Sequence, residues 1–381
     1  MLLQRTIRFD SRVKREARAL AQAGHEVAVV QLEPGEAAIE RTSEGYSLIT
    51  ISRAERIRRL LPLKLYRIAY VASLVRAAAR QQPDVVHAHD IAMLGPGWLV
   101  AVFKRVPLVY DTHEFALGVP YRTRPYAVLV RVLERLLIRH AAAVVTVSPG
   151  ISARLQEHYR LGARPLVLRN LPDTETMTTV GGGDIRTEAG ITAGTVVLHQ
   201  GAPARFRGCE NLIRALVHLS SDTHVVFLGD AEPGYTRTLE GLALELGVAG
   251  RVHFLPSRPS ATVLNWTRTA DVGVSLLEDV AENHRLALPN KLFEYIAVGV
   301  APVVSALPEA ESAVRELGVG WTVDPSDPES IARGIEEALL ARGPDLDGRL
   351  AAAAARVSWA TESRILTDLY AEIARASASH T

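Results

Sequence analysis

The sequence predicts an α/β protein built as two doubly wound domains. Three observations predict it. The chain has 381 residues, enough for two separate cores. Short valine-rich runs alternate with longer amphipathic stretches, the rhythm of a parallel sheet covered on both faces. That rhythm pauses once, near residues 170–194, and then resumes. The boundaries it sets are 1–173 for the first domain, 174–194 for a linker and 195–360 for the second domain. A terminal helix over 361–381 packs back toward the first domain.

Each element follows from its own residues. Only Met1-Leu2-Leu3 precede the turn-like residues 5–11, so the first strand is either very short or partly missing. Residues 12–23 have helical apolar spacing, and 27–30, 84–87, 108–110 and 144–147 read as buried strands. A second helical pattern covers 126–140. The linker holds Leu171-Pro172-Asp173, a threonine-rich stretch and Gly181-Gly182-Gly183, all poor in periodic apolar residues. Beyond it, strands are predicted at 196–199, 224–228, 252–255, 272–276 and 302–304. Helices at 211–220 and 237–246 fall between them.

Charge divides the chain more sharply than its net +1 suggests. Residues 1–170 carry 26 Lys+Arg against 14 Asp+Glu, whereas residues 171–381 carry 17 against 28. A basic half suits an anionic partner such as a membrane surface or a phosphorylated acceptor. Its densest part, residues 53–80, interleaves eight basic residues with Ile57, Leu60, Leu61, Leu63 and Tyr66, a pattern that fits an anionic bilayer as well as a solvated helix. Nucleic acid is disfavoured because the basic residues belong to no recognised binding module. The single cysteine, Cys209, rules out an intrachain disulfide and fits a reducing compartment. No signal-peptide run or uncharged span of bilayer length is present, so a cytoplasmic protein, soluble or peripheral at the membrane, is expected.

Three segments carry candidate chemistry. Pro289 and Asn290 turn into a helix that starts near Lys291, and the free N–H groups of a helix start suit a diphosphate. Glu294, one turn in, has two oxygens for a ribose diol; a capped helix with a surface glutamate would look the same. The loop Gly201-Ala202-Pro203-Ala204-Arg205-Phe206-Arg207-Gly208 leaves a strand for a helix. Glycine there lets backbone approach a ligand, and two arginines can clamp phosphate oxygens. The third segment, Tyr110-Asp111-Thr112-His113-Glu114, closes a strand at the sheet edge where open α/β sheets bind ligands. His87-Ala88-His89-Asp90 closes the preceding strand. Metal ligation by His87, His89, Asp90, His113 and Glu114 is the rival reading. It is disfavoured on the expectation that His87 ends its strand and points away from His89.

In order along the chain, Arg12-Val13, Glu16-Ala17, the Ala23–Val27 stretch, PDVVHAHD, YDTHE, VVTVSPGI, VVLHQG with RGCENLIRAL, and LPNKLFEYIAVGVAPVVS resemble the retaining GT-B glycosyltransferases of family 4. The ordered set spans nearly the whole chain. The resemblance implies two Rossmann-like domains facing a central cleft, a nucleotide-sugar donor and no cofactor or metal. It implies that Arg207 holds the donor diphosphate, that Glu294 binds the ribose, and that His113 assists transfer at the reacting sugar. Gly201, Arg205, Asn290, Lys291 and Leu292 complete the donor site, and His89, Asp90 and Glu114 line the acceptor side. The acceptor itself, whether glycan, lipid-linked or small molecule, is unassigned.

Two departures stand out. The family's second glutamate, eight residues before Glu294, is Leu286 here, with Glu278, Asp279 and Glu282 nearby at other spacings. Its arginine after the first glycine of the second domain is Ala202, which leaves Arg205 as the substitute. A GT-B sugar-nucleotide epimerase would need elimination carboxylates in both domains, a pattern not found. A degenerate, binding-only member is the other alternative. A phosphorylase is disfavoured, since none of the four lysines sits in a pyridoxal-phosphate motif.

Overall fold

Met1–Leu3 forms a strand in all but length. Leu2 bridges Val30 on one side and Ala88 on the other, both in parallel sense. The backbone of Met1, Leu2 and Leu3 exchanges bonds with Val30, His87 and His89. In this computed structural model, which describes residues 1–4, 6–33, 37–52, 63–119, 124–174 and 183–379, that short segment joins two parts of one twisted sheet. One part is β1 (Ala28–Glu33), β2 (Ala38–Arg41) and β3 (Ser47–Ser52), ordered β1-β3-β2. The other is β4 (Val86–His89), β5 (Leu108–Thr112), β6 (Ala143–Thr146) and β7 (Leu166–Val167), ordered β4-β5-β6-β7 and parallel throughout.

The second sheet holds β8 (Thr195–Gln200), β9 (Thr223–Leu228), β10 (Val252–Leu255), β11 (Val272–Ser275), β12 (Ala301–Ser305) and β13 (Trp321–Val323). Its order is β10-β9-β8-β11-β12-β13, with every pair parallel. The order doubles back at β8, where the chain crosses from one flank to the other, and ligands bind at such switch points. Strand alternation supplies both faces. Val196 and Leu198 pack with Trp266 and Tyr295, while Val197 packs with Leu212 and Ile213.

The chain divides into two compact units, Met1–Arg169 with Glu362–Thr381, and Asn170–Thr361. Of the predicted linker, residues 183–194 are ordered structure rather than a tether. They hold a helix at Ile185–Ala189, capped by Asp184, with Ile185 fully buried beside Trp266; residues 175–182 lie outside the described residues. The terminal helix spans Trp359–Ala378. Within the first unit Glu362 accepts from Arg169 N and Nε at 2.8 and 2.7 Å, and Tyr370 Oη lies 2.9 Å from His87 Nδ1. The strand expected at 84–87 is displaced to Val86–His89. Of the basic stretch 53–80, residues 53–62 lie outside the described residues and the rest forms the helix Leu63–Arg80. Among the described residues, no helix is long and apolar enough to cross a membrane.

Candidate functional site

In the second unit the candidate donor site grows from the end of β8. Gly201 has φ +107, a conformation that a side chain resists. A Cβ built there would stand 3.7 Å from Lys291 Cε and 4.0 Å from Arg207 Nη1, so the bare backbone lies between two cations. Gly229, at the end of β9, is packed against the same turn: a Cβ on it would fall 2.5 Å from the Gly201 carbonyl carbon. Arg207 and Arg205 are both exposed, and Arg205 forms no ion pair among the described residues. Gly208, φ +65, caps the following helix Cys209–Ala215.

The helix Asn290–Ala297 brings the second group of residues. Pro289 caps it without a side-chain bond, leaving the first-turn N–H groups of Asn290 and Lys291 uncapped. Leu292 differs from its sequence assignment. Its side chain is in the core and its N–H donates to the Pro289 carbonyl, so neither is presented to a ligand. Lys291 Nζ donates to Glu294 Oε2 at 2.8 Å, and Gln200 Nε2 donates to the same oxygen at 2.5 Å. Gln200 is itself fixed: Thr267 Oγ1 donates to its Oε1 at 2.7 Å and its N–H donates to Tyr295 Oη. Sequence reasoning passed over Gln200, although its place just before Gly201 was a signal. His199, buried one residue earlier, has its pKa lowered to about 4 by burial, then by Arg207 and Lys291. Burial does most of this, and the two cations that add to it are groups that would also favour a bound anion.

Leu286, at the position of the family's second glutamate, ends the helix Glu282–Leu286, and Glu278 meets the loop 201–208. Its N–H donates to the Phe206 carbonyl at 2.9 Å, and Gly208 supplies a backbone hydrogen bond to its carboxylate. Burial and the charge of Glu210 raise its pKa.

In the first unit, the ends of β4 and β5 gather a buried polar cluster. His87 and His89 are two apart on β4, so they share one face; their rings stack at 4.3 Å between centroids. The expectation that they point apart is therefore incorrect. Asp111 Oδ2 lies within 3.7–3.9 Å of His87, His89 and His113. Arg12 donates to Asp111 from Nη2 at 2.9 Å and pairs with Glu16 through Nε at 2.8 Å. Burial opposes the charge on both partners. Arg12 nevertheless holds Asp111 well below the usual carboxylate range, and Asp111 with Glu16 raises Arg12. Glu16 goes the other way, raised by burial and by the charge of Asp111. Burial also lowers both histidines, His89 the more strongly.

Ligand-type atoms of Glu16, His87, His89 and Asp111 lie within 4.8 Å of one another, a grouping suited in type to a metal ion. The guanidinium of Arg12 already occupies both carboxylates, so the cluster carries its own internal cation. His113 stands at its rim, 20% exposed, with Nε2 3.4 Å from His89 Nδ1. Asp90, at φ +61, accepts from the His113 N–H at 3.0 Å and lies 3.4 Å from Nδ1. His89, Asp90 and His113 thus meet. Glu114 follows, half-buried, its carbonyl accepting from Thr112 Oγ1 at 2.7 Å.

Two doubly wound units, one with a cationic glycine turn and the other with a histidine at a sheet edge, define the class: a glycosyltransferase of GT-B architecture. Glycosyltransferase Family 4 matches residues 11–176 and Glycosyl transferases group 1 matches residues 187–357. The chain belongs to the family-4-like glycosyltransferases. It is 28% identical to a D-inositol 3-phosphate glycosyltransferase of Geodermatophilus obscurus over 78% of this chain and 69% of that one. The same holds, at 28% over 80% and 76%, for the enzyme of that name from Xylanimonas cellulosilytica. In structure it resembles sucrose-phosphate synthase from Thermosynechococcus elongatus, with TM-score 0.76, 18% identity and 96% and 93% of the chains covered. Anabaena HepE, solved in complex with UDP, gives 0.74 at 17% identity, covering 97% and 99%.

Proposed function

We propose that the enzyme is a retaining transferase that takes its sugar from a nucleotide-sugar donor bound by the second unit. One observation carries this reading: Gly201 lies between the Arg207 and Lys291 cations, with Glu294 beside them. A sugar leaving a diphosphate places growing negative charge on the phosphate oxygens, which fixed cations and helix N–H groups stabilise. Arg207 and Lys291 supply that charge without a metal. Glu294, aligned by Gln200, accepts from the ribose diol, exchanging its bond to Lys291 for bonds to the ligand. Glu278 takes the place of the absent family glutamate and faces the sugar.

Transfer breaks the bond from the anomeric carbon to the diphosphate oxygen and forms the bond to the acceptor oxygen on the same face. The acceptor's proton passes to the departing phosphate. His113 orients the reacting sugar, and His89, Asp90 and Glu114 lie on the acceptor side. The name of the curated relatives, which includes an inositol phosphate, and the basic first half both support an anionic acceptor. The setting is the cytoplasm, with peripheral contact at an anionic membrane.

A thermal-shift panel of UDP, GDP, TDP and ADP tests the donor assignment. A diphosphate at about 100 times its Kd adds roughly 2.7 kcal/mol to the folded state, so one base should raise Tm clearly. No shift with any of the four contradicts the assignment. Conversion of a sugar nucleotide to its epimer, without release of the diphosphate, supports the epimerase instead.

A further inference from the structure

The helix Arg124–Leu137 is turned inside out relative to an ordinary surface helix. It buries a narrow strip, chiefly Val130 and Glu134. Glu134 fixes it to the sheet side by accepting from Tyr110 Oη at 2.7 Å and Tyr159 Oη at 2.6 Å. Around the outside, Tyr126, Val128, Leu129, Val132, Leu133 and Leu136 are all exposed, Val128 by 60% and Leu136 by 57%. At 100° per residue these six cover nearly half the helix circumference. A continuous apolar stripe of this kind on a soluble fold marks an interaction surface.

Its border is basic. Arg131 and Arg135 run along one side of the stripe, and Arg139 follows one turn beyond. Arg135 and Arg139 open onto a cavity of about 1060 Å³ that Arg160 and Arg164 also line, with Asp368 and Glu372 as its acids. Among the described residues, Arg135, Arg139 and Arg160 form no ion pair.

We propose that this helix docks the protein on an anionic phospholipid bilayer, its apolar stripe lying among the headgroups and the arginine-lined cavity receiving lipid phosphates. An amphipathic helix with aromatic and leucine residues on one face and arginines beside them is the pattern of an interfacial element. Charge complementarity selects this occupant over a second copy of the chain. An antiparallel two-fold contact would bring the arginine borders of both copies together, whereas an anionic leaflet neutralises the border directly. The helix is distinct in sequence from residues 53–80, which the sequence alone had nominated; the proposal rests on the peripheral-membrane reading and not on the donor assignment.

Co-sedimentation of the full chain with vesicles tests it, using phosphatidylcholine alone and phosphatidylcholine mixed with phosphatidylglycerol. Binding is expected only with phosphatidylglycerol, and weaker at high salt. Two independent double variants, Leu129→Asp with Leu133→Asp and Arg135→Glu with Arg139→Glu, should each cut binding by about tenfold or more. Their Tm should stay near wild type because the four positions are exposed. Failure to bind the mixed vesicles overturns the proposal, as does binding that survives either double variant. Light scattering gives the remaining outcome: an oligomer dispersed by the leucine variant, without vesicle binding, assigns the stripe to a second copy and also overturns it.

Discussion

The roles proposed for Arg207 and His113 differ, and single substitutions separate them. Arg207 is exposed, and its guanidinium stands beside Gly201. Its change to Ala should weaken binding of the nucleotide diphosphate by roughly 1.5–3 kcal/mol, the range for hydrogen bonds to charged groups, with Tm nearly unchanged. Calorimetry with UDP measures this, and unaltered affinity would remove Arg207 from the site. His113 belongs to the other unit. His113→Ala should leave bare-nucleotide affinity intact and lower turnover by about 10²-fold, a common contribution for a positioned side chain. A histidine that serves only the His89–Asp90 contacts would instead lower Tm and leave turnover per folded molecule unchanged.

Among elements, the strand ends decide where the chemistry sits, and the turns after β8 and β9 must touch. Gly229→Ala would push a Cβ to 2.5 Å from the Gly201 carbonyl carbon, against backbone that cannot yield cheaply. The change should cost about 1–3 kcal/mol and weaken nucleotide binding with it, because Gly201 would move relative to Arg207 and Lys291. Denaturant titration and calorimetry on that variant check both effects; a normal midpoint with normal affinity contradicts the coupling. The strands of the second unit were legible because β8, β9, β11 and β12 are short, valine-rich and buried on both faces. β2 was not: all its residues are exposed, so Ala38–Arg41 shows no apolar alternation and owes its place to antiparallel pairing with β3. The first strand was also hidden, since Leu2 alone makes the bridges. The residues proposed for the donor could be singled out because each segment carries its own local signal, a glycine-and-arginine turn at 201–208 and a helix start at 289–294, although 94 residues separate Gln200 from Glu294. The Arg12–Asp111 pair could not, because 99 residues separate partners that only the folded sheet brings together.

At the scale of the whole molecule, the two units differ in charge and in the candidate chemistry they carry. The second unit carries Arg207 and Lys291, the cations proposed for the donor, within an acidic half, and the first carries the histidine edge within a basic half. The chain returns to the first unit at its end, where buried Glu362 holds Arg169 and Tyr370 meets His87. In that way the terminal helix Trp359–Ala378 helps fix β4, on which His89 stands. Under the proposed function, this molecule transfers a sugar from a nucleotide diphosphate on the face the diphosphate leaves. The most direct measurement is proton NMR of slow donor hydrolysis, with the donor selected by the nucleotide panel, read before the free sugar mutarotates. From an α-linked donor, the α-anomer should appear first, together with one equivalent of nucleoside diphosphate. The β-anomer appearing first would contradict the account.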